Sequence, residues 1–141
     1  MVVATYNLRN ANGSDSTNGN GWGQRYPYIA QIVQFHGFDI FGTQEGKYPQ
    51  LQDLRQAMPG YDYIGVGRDD GKQAGEHSAI FYRTDKFEVL EHGDFWLSEI
   101  TDRPNKGWDA VLPRICTWGE FRDKQTGFTF LFFNLHMDHV G

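Results

Sequence analysis

Asp39-Ile40-Phe41-Gly42-Thr43-Gln44 is a short apolar run with stretches of helical spacing on both sides, and its reading decides the fold. Six residues with Ile, Phe and Thr at the centre make a short strand. Upstream, Ile29, Ile32 and Val33 fall at helical spacing within residues 24–36, Pro27 is tolerable in a first turn, and Gly37 ends the helix. Downstream, Tyr48, Leu51, Leu54 and Met58 recur every three or four residues and Pro59-Gly60 closes a second helix. Further out, Val2-Val3-Ala4-Thr5-Tyr6-Asn7-Leu8 is β-branched and aromatic, a second strand that reads as buried, separated from the first helix by a polar loop over residues 10–23. The order β-α-β-α places helices against a sheet.

Beyond Gly60 the character changes. Residues 61–66, 77–83, 87–97, 114–122 and 128–136 read as strands, and Asp123-Lys124-Gln125-Thr126-Gly127 is a glycine-containing hairpin loop. The fold class is therefore α/β in its α+β form, and 141 residues make one domain, 1–141. Aromatic residues at 16% supply large rings for a sheet-based core. The single Cys116 rules out an intramolecular disulfide and reads as a small buried hydrophobe on a strand. A net charge of −5 argues against a broad basic face for nucleic acid, yet a bound divalent metal would still allow a phosphate-bearing substrate. No apolar run approaches the ~20 residues of a membrane span. Location is open: a native Met1 fits a cytoplasmic protein, a removed leader an exported one. Gly65-Val66-Gly67 lacks the lysine and hydroxyl ending of a phosphate loop.

Polar residues gather at strand ends. Asn7 closes the first strand, Glu45 follows the second, and His136, Asp138 and His139 follow the last. Strand ends along one sheet edge are where such scaffolds collect functional groups. An amide oxygen and a carboxylate are hard ligands suited to Mg²⁺, whereas a structural zinc site would want cysteines or closely spaced histidines. Taken singly, each residue has a plainer role: Asn7 capping a turn, Glu45 a solvated carboxylate at a helix start, residues 136–139 a polar loop.

Four blocks in order change that balance: Thr5-Tyr6-Asn7-Leu8, Gly42-Thr43-Gln44-Glu45, Glu76-His77-Ser78-Ala79-Ile80-Phe81-Tyr82-Arg83 and Phe133-Asn134-Leu135-His136-Met137-Asp138-His139. Together they resemble the endonuclease/exonuclease/phosphatase family, the deoxyribonuclease I-like proteins, and match its N-terminal half. The resemblance implies half of a four-layer α/β/β/α sandwich, with mixed, mainly antiparallel sheet and helices on one face. It implies Glu45 and Asn7 at a Mg²⁺ site, with Mn²⁺ as an alternative, His136 at the scissile phosphate with Glu76 as its partner, and Arg114 and Asn134 on substrate phosphate. The implied reaction is metal-assisted in-line attack of water on a phosphoester. Neither the family's Gly-Asp-x-Asn block nor its Ser-Asp-His block occurs in these 141 residues. The expectation is a site completed by a C-terminal half, in cis or as a separate chain, or a second copy covering the open sheet face, so that this half alone is not a stable monomer. The substrate is a phosphoester whose class, small molecule, lipid head group or nucleic acid, the sequence leaves undetermined. The alternative is a non-catalytic binding or structural domain on the same scaffold.

Overall fold

The computed structural model describes residues 1–9, 21–97 and 115–135; Arg114, His136, Asp138, His139 and most of the 10–23 loop lie outside them. Strands β1 (Val3–Asn7) and β2 (Ile40–Gln44) pair in parallel, Val3 opposite Ile40 through Asn7 opposite Gln44. Parallel neighbours need a crossover, and helix α1 (Trp22–His36) lies within it. Helix α2 (Tyr48–Ala57) then leads to β3 (Tyr61–Ile64) and β4 (Ile80–Arg83). The first sheet runs β1-β2-β4-β3, parallel at β1-β2 and antiparallel elsewhere. Strands β5 (Phe87–Trp96), β6 (Ile115–Asp123) and β7 (Thr129–Leu135) form a separate antiparallel sheet in chain order, with a bulge between Val89 and Glu91.

The central strands of the first sheet, β2 and β4, are covered on both faces, which explains why Ile40-Phe41 and Ile80-Phe81 are apolar in succession rather than alternating; β1, expected as a buried strand, is an edge strand with Val3, Thr5 and Asn7 exposed. Phe41 and Phe81 point to the helices, joining Ile29, Val33, Leu51, Leu54 and Met58. Their rings stack at 5.2 Å and 7°, a pairing worth about 0.5–1.5 kcal/mol beyond the area it buries. Their neighbours Ile40 and Ile80 point the other way, with Ile64, onto Phe87 and Phe121 of the second sheet. The layers are thus helix, sheet, sheet. The outer face of the second sheet aligns Gly93, Trp118 and Phe133 in register, and Leu131 and Phe133 stand 58% and 55% exposed on it; no described helix covers it.

Several boundaries shift for local reasons. Helix α1 begins at Trp22, two residues before its apolar periodicity, because the Gln24 side chain accepts the Gly21 N–H at 3.0 Å and caps the first turn. Pro27 consequently sits in the second turn, where the carbonyl it leaves unpaired belongs to exposed Gly23. The strand expected from residue 77 starts at Ile80; His77 instead bridges Gly46 on one side and Gly67 on the other. The 123–127 hairpin loop forms as expected, with Asp123 Oδ1 accepting the Gln125 and Thr126 N–H groups and Gly127 at φ 78°. Cys116 is buried on β6. Among the described residues no helix is long and apolar enough to cross a membrane.

Candidate active site

The parallel ends of β1 and β2 bring Asn7 and Glu45 together. The ladder continues one residue past β1, with Leu8 N–H donating to the Gln44 carbonyl at 2.9 Å. Both chains then turn into the left-handed region, Arg9 at φ 57° and Glu45 at φ 65°. Such φ values at residues with a Cβ cost on the order of 1–2 kcal/mol each, so neighbouring groups must hold them. Arg25 of α1 donates to the Leu8 carbonyl at 2.6 Å and the Arg9 carbonyl at 3.0 Å, and Gln50 of α2 donates to the same Arg9 carbonyl at 3.1 Å. Asn7 Nδ2 then donates to Glu45 Oε2 at 2.5 Å, and Asn7 Oδ1 accepts the Arg9 N–H at 2.8 Å. The turn-capping role open to Asn7 is therefore real, and it coexists with the contact to Glu45.

One carboxylate beside an amide oxygen with a lone pair left over fits Mg²⁺, which binds through one or two carboxylates and keeps several waters. Among the described residues no three His, Cys, Asp or Glu side chains converge. A cleft of about 390 Å³ opens beside Asn7, lined by Tyr6, Arg9, Gln24, Arg25 and Tyr28.

Glu76 arrives on a loop tied to the same edge. His77 N–H donates to the Gly46 carbonyl at 2.7 Å, fixing the loop to the residue after Glu45. The Glu76 carboxylate meets Arg68 Nη1 at 3.2 Å, and Arg68 is buried. The expected partner of Glu76, His136, lies outside the described residues. His77 is itself buried, and loss of hydration lowers its pKa from the ordinary 6.5, partly offset by the Gly75 carbonyl 3.2 Å from Nδ1.

Asn134 departs from its expected role on substrate phosphate. It is 6% exposed and faces the first sheet, where Nδ2 donates to the Thr43 carbonyl at 2.7 Å and the Ala79 carbonyl at 2.9 Å. Both amide hydrogens are thereby taken by backbone oxygens, and an asparagine has no others to offer a phosphate. Arg114, the other residue expected there, lies outside the described residues, as do Asp138 and His139. Behind Asn134, Thr117 donates to Asp94 at 2.6 Å, and burial raises the Asp94 pKa above 3.8.

Four contributors carried no role in the sequence reading: Arg68, Arg25, Gln50 and Gln44. Arg68 sits in a loop beside Asp69 and Asp70 and looks like a solvated charge. Arg25 looks like one polar residue of a helix. Gln44 lay inside the Gly42-Thr43-Gln44-Glu45 block, and its adjacency to Glu45 was the available signal.

No family model matches the chain. Solved structures do. The chain is 74% identical to a mannosyl-6-phosphatase of Bacteroides thetaiotaomicron, covering 100% of this chain and 53% of that one with a TM-score of 0.98. It is 76% identical to an endonuclease/exonuclease/phosphatase family protein of Bacteroides thetaiotaomicron, over 99% of this chain and 49% of the other, TM-score 0.98. A third, an endonuclease/exonuclease/phosphatase of Bacteroides vulgatus, is 51% identical over 97% of this chain and 52% of its own, TM-score 0.94. The chain spans about half the length of each of these proteins.

Proposed function

The chain belongs to the endonuclease/exonuclease/phosphatase family, and from that premise we propose that it carries part of the site of a Mg²⁺-dependent phosphoester hydrolase acting on a phosphorylated sugar of the mannosyl 6-phosphate class. The observation that carries this reading is the Asn7–Glu45 contact at the paired strand ends, 2.5 Å between amide and carboxylate. The substrate class rests on the 74% identity to a mannosyl-6-phosphatase. A compact sugar phosphate also suits a chain of net charge −5 better than a nucleic-acid duplex does.

In this reading Glu45 and Asn7 hold Mg²⁺, with Mn²⁺ as a substitute, and the ion when bound polarises the phosphoryl oxygens and eases departure of the leaving oxygen. Asn7 fixes the orientation of the Glu45 carboxylate through its own N–H. His136 donates to a phosphate oxygen, and Glu76 favours its imidazolium form. Arg114 offers a planar fork to two phosphate oxygens. Water attacks phosphorus in line with the leaving oxygen, and the residues that orient that water belong to the remainder of the site, which another half supplies.

The test uses the full-length protein and mannose 6-phosphate, with phosphate release measured with Mg²⁺ and with EDTA. Glu45→Ala and His136→Ala should each lower kcat by about 10²-fold or more with the fold intact by circular dichroism. Wild-type turnover in either variant, or EDTA-insensitive hydrolysis, removes the reading. Hydrolysis of other phosphoesters but not of mannose 6-phosphate removes only the substrate class.

A further inference from the structure

Asn134 joins the two sheets where the site-bearing strands end, and we infer that it is a positioning residue for Glu45, acting on the β2 terminus and never on substrate. The inference rests on the metal site proposed above.

The bonds of Asn134 converge on the residues just before Glu45. The Thr43 carbonyl it grips belongs to the peptide linking Thr43 to Gln44. Its Oδ1 accepts from Gln44 Nε2 at 3.0 Å, and the same nitrogen donates to Thr5 Oγ1 at 2.9 Å. One side chain of β7 thus holds the backbone of Thr43 and the side chain of Gln44, with β1 attached through Thr5. Its second N–H goes to the Ala79 carbonyl, which already accepts the Thr43 N–H at 2.8 Å. The grip therefore spans the β2 edge and the residue entering β4. On its own strand Asn134 stands two residues before His136, so the same bonds tie the chain that carries His136 to the chain that carries Glu45.

The room for this contact is specific. A Cβ built on Gly42 would lie 2.6 Å from both Cγ and Oδ1 of Asn134, so any side chain at 42 displaces the amide. Gly42 has no positive φ; it is required by close approach and not by backbone conformation. A buried amide that only satisfied its own hydrogen bonds would affect stability alone. An amide that grips the peptide before a metal ligand should also affect how well that ligand meets its ion, as outer groups around metal ligands do.

The experiment measures the Mg²⁺-induced rise in melting temperature of the full-length protein across a Mg²⁺ titration, for wild type, Asn134→Ala, Gly42→Ala, the double variant and Glu45→Ala, with kcat and KM for mannose 6-phosphate alongside. Asn134→Ala and Gly42→Ala should each raise the Mg²⁺ concentration for half-maximal effect by about ten-fold and lower kcat more than they raise KM. The double variant should be no worse than either single, because both remove the same contact. If Asn134→Ala does not fold, Asn134→Ser, which keeps one donor, and Gly42→Ala carry the same comparison. Folded variants with lowered metal-free melting but wild-type Mg²⁺ half-saturation overturn the inference and leave Asn134 a core amide. If Glu45→Ala also leaves Mg²⁺ half-saturation unchanged, the proposed metal site itself is what fails.

Discussion

Replacing Arg68 with methionine should destabilise the full-length protein by about 3 kcal/mol, a figure that follows from how the Arg68–Glu76 pair is enclosed. The two side chains are 11% and 14% exposed, with Nη1 3.2 Å from Oε1. At an effective dielectric of about 20 their attraction is on the order of 5 kcal/mol, and dehydration of the two ions opposes it by a similar amount. Arg68 Nε is also the one buried side-chain polar atom among the described residues with no hydrogen-bond partner, the exposed Asp69 carboxylate standing 3.8 Å away, so the pair as a whole gains little over apolar substitutes. Removing only the arginine is different. Glu76 keeps its place, because Arg68 N–H still donates to the Glu76 carbonyl at 3.1 Å and Trp96 still donates to the Arg68 carbonyl at 2.9 Å. Its carboxylate is then held in partial burial without its guanidinium, which costs about 3–5 kcal/mol in comparable pairs, and residual access to water favours the lower end. For a domain of roughly 150–250 residues this is a fall of about 6–12 °C in Tm. The assay is a double-mutant cycle by thermal and urea unfolding at pH 7, with Glu76→Gln as the second change. The double variant should recover part of the loss, since the carboxylate that lost its guanidinium is gone as well. An Arg68→Met protein that melts within about 1 °C of wild type, or strictly additive losses in the cycle, would refute the reasoning.

Asp94→Asn should flatten the pH dependence of stability. Burial raises the folded pKa of Asp94 above 3.8, so the native state retains its proton longer than the unfolded chain and this group's contribution falls as pH rises from about 3.8 through the folded value. The asparagine keeps an oxygen for Thr117, and urea midpoints at pH 4 to 8 should show the variant gaining on wild type toward neutrality; parallel curves would contradict this. Leu131→Lys combined with Phe133→Lys should act in opposite directions in two settings. Residues 1–141 expressed alone should associate less and stay in solution by size-exclusion chromatography, while a full-length protein whose other half covers this face should lose stability; unchanged stability of the full-length protein would show that the face is free in it.

The fold was legible where burial leaves a simple signature. Phe41 and Phe81 on one face and Ile40 and Ile80 on the other make β2 and β4 each begin with two successive apolar residues, and the helical spacing of Leu51, Leu54 and Met58 is hard to read otherwise. What escaped was set by bonds distant in sequence. Residues 77–79 look like the start of a strand, but His77 is drawn to Gly46 and Gly67 instead, and no local pattern reveals a bridge to a residue 31 positions earlier. The closeness of Asn7 and Glu45 was legible because strand ends can be located. The family resemblance implied Asn134 on substrate phosphate, yet its amide turns inward to Thr43 and Ala79. The absence of a side chain at Gly42, 92 positions earlier, makes that inward turn possible.

The cost of building the site falls on two residues, and the structure answers each with a different element. Arg9 and Glu45 both adopt left-handed backbone without being glycine, at the ends of neighbouring parallel strands. Arg9 is held by Arg25 and Gln50, one from each helix, through its carbonyl. Glu45 is held from in front by Asn7 and from behind through Gln44 and Thr43, both gripped by Asn134 of the second sheet. A glycine at either position would relieve the strain, and at 45 it would also remove the carboxylate. The three layers therefore share one task at this edge: the helices fix the β1 exit, the second sheet fixes the β2 exit, and the Asn7–Glu45 bond closes the gap between them. In the proposed reading, a Mg²⁺ ion placed there would meet a carboxylate whose position was determined before binding, as preorganised electrostatic catalysis requires.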